Sequence, residues 1–187
     1  MHITGITLDC RNKAFTIYGD ALFDGSLPQS GLDLDHTVPA DILGSGLLVE
    51  NIVPVEASFN RSKNNRIPYS FFYTVNELFP ELISGFENDF LAALRKETGA
   101  ISDFRLKLPS APPNQTEKIL MTSVMRRVLG RDLEYQRLFY FCNSLLFYGE
   151  LYYRKFKARK DRSDIWMRSY ETDSRGARIL ELIKRQK

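Results

Sequence analysis

Residues 138–153, Leu-Phe-Tyr-Phe-Cys-Asn-Ser-Leu-Leu-Phe-Tyr-Gly-Glu-Leu-Tyr-Tyr, put apolar or aromatic side chains on nearly every face of any helix they form. A helix that is apolar all round must be covered all round. The cover comes either from the rest of one domain or from a second subunit, because an apolar patch of that size is unusual on a free surface. Leu138, Phe141, Cys142, Leu145, Leu146 and Tyr152 share one broad side, and the expectation drawn from them is a homodimer interface. Asn143, Ser144 and Glu150 interrupt the run, which falls short of the about 18 uninterrupted apolar residues of a spanning helix. No membrane segment is expected.

The remainder is large enough to supply a core. The 187 residues are 43% hydrophobic and 12% aromatic, which suits one domain, or one domain with a helical extension, and excludes a disordered chain. The two cysteines, Cys10 and Cys142, lie far apart and read as buried thiols, not as a disulfide framework or a zinc site. Met1-His2-Ile3-Thr4 lacks the basic start and apolar run of a secretory signal. The expected location is the cytoplasm.

Short β-type runs come first. Residues 3–8 and 14–18 read as strands, and residues 32–38 as a further short one before Pro39. Leu47 to Val53 is an apolar run broken by Pro54. Val55, Ala57 and Phe59 then alternate with polar neighbours, as in a half-buried strand. Tyr69 to Val75 reads as an aromatic strand. Helical spacing begins near Asn76 with Leu78, Leu82, Ile83, Phe86, Phe90, Leu91 and Leu94; Gly85 weakens it and Thr98-Gly99 ends it. Asn114 and Glu117 form a capping box for a second helix. Ile119, Leu120, Val124, Val128 and Leu129 are its apolar face and Gly130 its end. Asp132 opens a third helix, and Ser174 can cap a last one. The expected fold is α+β. A strand-rich N-terminal part (residues 1–75), an antiparallel sheet or small barrel, is followed by a helical part (76–187) with a basic C-terminal segment, the two forming one compact domain.

Charge is unevenly spread. Residues 154–187 hold 12 Lys or Arg against 5 Asp or Glu, a net of +7, which leaves −4 on residues 1–153 out of the chain's +3. Such a tail can meet phosphates, an acidic partner or a membrane surface, or it can be a solvated helix face. Arg154, Lys155, Lys157, Arg159 and Lys160, interleaved with aromatics, are the candidate nucleic-acid contacts. The competing reading makes those aromatics core and the basic groups their wet end.

No local motif identifies an enzyme. There is no phosphate-binding loop of either glycine-rich type, and Gly44-Ser45-Gly46 reads as a turn. Asp33, Asp35 and His36 could hold a metal or do acid–base work, though an ordinary solvated histidine explains them as well. Glu171 and Asp173 near Arg175 and Arg178 invite a metal-dependent nuclease reading, but their context is a loop and a helix rather than a sheet. No cofactor is expected.

The order of features resembles the N-terminal, non-DNA-binding half of AraC-family transcription regulators. Leu47-Leu48-Val49-Glu50 through Val55-Glu56-Ala57-Ser58-Phe59 looks like that family's last barrel strands. Pro68-Tyr69-Ser70-Phe71-Phe72-Tyr73 followed by Asn76-Glu77-Leu78-Phe79 looks like its strand-to-helix exit, and Arg178 to Lys184 like the helix opening the DNA-binding half. The resemblance implies a cupin-like barrel, helices that dimerise and a small-molecule pocket inside the barrel. No double helix-turn-helix follows Lys187 in this sequence, so an excised sensory half or a short relative is implied. The expected function is a non-enzymatic regulatory domain for ligand sensing or dimerisation in transcription control. The alternatives are a nucleic-acid-binding protein using its basic segment and a protein-interaction adaptor.

Overall fold

The computed structural model of the chain describes residues 32–42, 48–98, 108–148 and Arg175. Within them, a two-stranded antiparallel sheet lies beside five α-helices. Strand β1 (Leu32–His36) pairs with β2 (Ile52–Glu56), with Leu32 opposite Glu56 and His36 opposite Ile52. Pro54 sits opposite Leu34, a place open to it because in a two-stranded sheet each strand has one unpaired side. The antiparallel α+β character matches the sequence expectation, while a closed barrel is not formed by these two strands. The expected strands at residues 3–8 and 14–18 lie outside the described residues.

The approach to β2 is a 3-10 turn (Val49–Asn51) rather than a longer strand. Asn51 explains it. Its side-chain amide donates to the Val38 carbonyl and accepts from the Val38 amide, both at 2.8 Å. One side chain thus replaces a rung of sheet where the backbone turns away.

Two further expected strands are helices. Helix α1 (Ala57–Lys63) follows β2 directly, and α2 covers Tyr69–Tyr73. In α1 the alternation of Val55, Ala57 and Phe59 is too short to compete with the four-residue spacing of Phe59 and Lys63, which points both side chains inward. In α2 the run Tyr-Ser-Phe-Phe is buried on all sides, and a short continuous apolar run has no period by which strand and helix could be told apart.

The single helix expected from Asn76 is broken. A π-helical turn (Thr74–Leu78) ends at Phe79, whose amide donates to the Thr74 and Val75 carbonyls at 3.1 and 3.2 Å. Pro80 then opens a 3-10 turn (Pro80–Leu82). Gly85 takes a left-handed φ of 94°, which glycine adopts without the penalty of a Cβ, and α3 (Glu87–Thr98) starts only after it.

Helix α4 (Gln115–Leu129) carries the expected capping box, with Asn114 Oδ1 accepting from the Glu117 amide and Glu117 Oε2 from the Asn114 amide, each at 2.9 Å. Its buried face is Met121, Val124, Met125 and Val128. Ile119, expected there, is 58% exposed, because the two methionines carry the inward stripe around by one position. Helix α5 (Leu133–Tyr148) is capped by Asp132, whose carboxylate accepts from the Tyr135 amide at 2.8 Å.

Helix α5 is the centre of the core formed by the described residues. Phe139, Tyr140, Phe141, Cys142, Leu145, Leu146 and Phe147 are all at most 1% exposed. Phe139 meets Phe71 and Phe79 edge-on at 6.0 and 5.3 Å, and Phe147 meets Phe59 at 6.1 Å. Burying each such side chain is worth about 1.5–3 kcal/mol, so α5 is the largest single source of core stabilisation. Its polar interruptions anchor it. Ser144 donates to the Glu50 carbonyl (3.1 Å) and shares a hydrogen bond with Thr37 (3.0 Å), and Asn143 accepts from Ser70 (3.2 Å).

Candidate functional site: an arginine socket

The irregular stretch between α2 and α3 leaves backbone carbonyls without helical partners, and such groups must be satisfied some other way. Two arginines do it. Arg127, on α4, donates to the Leu82 and Ser84 carbonyls at 3.0 and 2.7 Å while lying 4.5 Å over the Phe86 ring. Arg175 arrives from the basic C-terminal segment. Its Nε donates to the Leu78 carbonyl at 2.9 Å and its Nη2 to Glu81 Oε1 at 2.7 Å.

Two rings lie against the Arg175 guanidinium on adjacent sides, with centroids at 4.5 Å (Phe79) and 5.2 Å (Tyr135). The rings stand edge-to-face to each other at 5.3 Å. Phe79 is fully buried and held by the π turn, and Tyr135 belongs to the first turns of α5. The Tyr135 hydroxyl donates to the same Glu81 oxygen at 2.7 Å, so that oxygen accepts from both the phenol and the guanidinium. Burial pushes the Tyr135 phenol well above its ordinary range. The hydrogen bond to Glu81 and the charge of that carboxylate push the same way, and the cations Arg175 and Arg131 pull part of the way back. Tyr135 is therefore a neutral donor at any physiological pH.

The result is a socket for a cation, with an aromatic corner made by two rings, and a carbonyl and a carboxylate that accept from different guanidinium nitrogens. Arginine offers donors in a fixed fork and a face that stacks on rings; a lysine ammonium offers neither. In sequence Arg175 lies near Glu171 and Asp173, the grouping behind the nuclease reading. Those acidic residues and Arg178 lie outside the described residues; among the described residues Arg175 meets Glu81, 94 positions away.

The other candidates fall as follows. β1 turns Asp33 and Asp35 toward α1, where Asp33 accepts from Asn60 at 3.3 Å and Asp35 from Lys63 Nζ at 3.0 Å. Lys63 also donates to the His36 carbonyl at 2.7 Å. These carboxylates are engaged by α1, and among the described residues no group of three or more His, Cys, Asp or Glu is placed to hold a metal ion. Of the expected dimer residues, Phe141, Cys142, Leu145 and Leu146 are buried in the chain's own core and Leu138 packs against it. From Leu138 to Phe147 the apolar side chains are thus packed within the chain's own core. Tyr152 and the basic residues Arg154, Lys155, Lys157, Arg159 and Lys160 lie outside the described residues, as does Gly44-Ser45-Gly46. An open groove of about 640 Å³ runs between α3 and α4, lined by Ala92, Ala93, Thr116, Ile119 and Leu120 among others. No helix among the described residues is long and apolar enough to cross a membrane.

No family model, curated protein or solved structure matches this chain.

Proposed function

We propose that the chain is a non-enzymatic regulatory domain that controls the availability of its own basic C-terminal segment to a polyanionic partner, in the first place duplex DNA. The observation that carries this reading is the seating of Arg175 in the Phe79–Glu81–Tyr135 socket. Arg175 belongs to a segment of net charge +7, and the segment's partner in the socket belongs to a body of net charge −4. Opposite charges of that kind suit reversible docking.

The magnitude fits a switch. A partly exposed ion pair with ring contacts is worth on the order of 1 kcal/mol. That holds the segment docked most of the time, yet a polyanion offering several phosphates can outcompete it. The likeness to the sensory half of AraC-type regulators enters this proposal only as to role. A barrel-enclosed ligand and a homodimer on α5 are not part of it, because the sheet among the described residues has two strands and the α5 side chains are used within one chain.

The test is fluorescence anisotropy with a labelled 20-base-pair duplex at several salt concentrations. Glu81→Gln breaks the socket without touching the segment's charge, and Asp89→Asn, at an exposed position on α3, is the charge-matched control. Undoing about 1 kcal/mol of docking raises affinity about fivefold. Glu81→Gln binding about fivefold tighter than Asp89→Asn, with log affinity falling linearly in log salt, is the expected outcome. Equal affinities, or no binding by any of the three proteins, would overturn the reading.

A further inference from the structure

Resting on the reading of Arg175 as a reversible dock, we propose that docking sets the hydrogen-bond register of the π turn beneath it, so that the core senses whether the basic segment is seated. The Leu78 carbonyl and the Phe79 amide are the two ends of one peptide unit, and such a unit is rigid and planar. Its oxygen accepts from Arg175 Nε at 2.9 Å. Its N–H is shared between the Thr74 carbonyl at 3.1 Å and the Val75 carbonyl at 3.2 Å. The first bond closes a π turn and the second an α turn. A guanidinium that holds the oxygen therefore holds the aim of the N–H between the two.

The local sequence leaves this peptide with a choice. Pro80 has no N–H and keeps the residue before it out of the helical region, and Phe79 has φ −133° and ψ 50°. The helical hydrogen bonding ends at Phe79, whose amide is the last donor, and two carbonyls compete for it. π turns are rare beside α turns, so with the oxygen released the N–H settles on the Val75 carbonyl. The tilt is not confined to the backbone. Phe79 is fully buried, and its ring stands edge-on to Tyr135 and Phe139, both at 5.3 Å and one turn apart on α5. Reseating the Phe79 peptide thus reaches the central helix. The two registers of one short turn are the two arrangements that such a coupling needs.

The test reads the two hydrogen bonds separately, by NMR, as the scalar couplings from the Phe79 amide nitrogen to the Thr74 and Val75 carbonyl carbons. It uses the full-length, deuterated, ¹³C,¹⁵N-labelled protein without DNA. The wild type is expected to show both couplings. In Arg175→Ala the ratio of the Val75 coupling to the Thr74 coupling is expected to rise about twofold or more, within the about fivefold that release of the dock can contribute. Arg175→Lys keeps a charge for Glu81, but an ammonium cannot also span the Leu78 carbonyl. It is expected to give the same rise, and it decides the matter if the alanine variant does not fold. Asn114→Ala, which loosens the capped start of α4, is expected to leave the ratio as in the wild type. A wild type without the Thr74 coupling, an unchanged ratio in either Arg175 variant, or an equal rise in Asn114→Ala overturns the proposal. DNA affinity does not enter the readout, so failure here is separate from failure of the regulatory reading.

Discussion

Lys63 Nζ lies 3.0 Å from Asp35 Oδ1, and neither side chain is more than 4% exposed. The pair joins the first helix to the strand that begins the described sheet, and the His36 carbonyl takes a second ammonium proton at 2.7 Å. The charges are matched by hydrogen bonds, which is the condition under which a buried pair is tolerated.

Removing one partner leaves the other charge enclosed. Lys63→Met is expected to lower unfolding free energy by about 3–5 kcal/mol. Asp33→Asn, at a partly exposed position two residues from Asp35, is expected to cost less than about 1 kcal/mol. Urea denaturation of both variants measures the contrast. Comparable losses would mean that the pair is not buried as described.

Tyr140 gives the opposite expectation. It is fully buried and its hydroxyl has no hydrogen-bond partner among the described residues. Leaving such a group unsatisfied is costly, whereas an apolar replacement of the same shape is not. Tyr140→Phe is expected to stabilise the protein by roughly 1 kcal/mol, read as a higher denaturation midpoint with an unchanged slope. A loss of stability would show that the hydroxyl has a partner.

The same phenols set an alkaline limit. Burial raises the Tyr140 phenol, burial and the Glu81 contact raise Tyr135, and burial with Glu77 raises Tyr73. A group whose folded pKa lies above its unfolded value gives stability that is complete below the unfolded value. That stability is lost as pH climbs from there through the folded one. With an unfolded tyrosine near about 10, stability is expected to fall above that pH, and less steeply in Tyr140→Phe. Thermal melts between pH 8 and 11 check both points.

At the start of α4, Asn114→Ala removes one half of a reciprocal cap. The expected cost is about 1 kcal/mol, and Glu117→Ala should show coupling to it, because each side chain satisfies the other's amide. A cycle of the two variants by chemical denaturation gives the coupling directly.

The helix ends were the most legible part of this chain. The Asn114–Glu117 box, the start at Asp132, the end at Gly130 and the weak point at Gly85 all rest on local chemistry that neighbours in sequence decide. Residues 69–73 were misread because a helix enclosed on all sides shows no amphipathic period. On α4, Val124 and Val128 face inward as their spacing implies, but Met121 and Met125 complete that face in place of Ile119, because methionine fills an irregular core well. The socket was beyond reach. Its acid and its arginine stand 94 residues apart, and only the fold brings Phe79 and Tyr135 together against the same cation. The one signal in the sequence was Pro80 beside an aromatic and an acidic residue, which marks a corner but not what the corner holds.

The docking of Arg175 is tested most directly by a double-mutant cycle of Arg175→Ala and Glu81→Ala in urea. The 2.7 Å contact between partly buried groups predicts that the double variant is more stable than the sum of the single losses implies, by about 1 kcal/mol. Strict additivity, within the about 0.3 kcal/mol expected of independent sites, would contradict it.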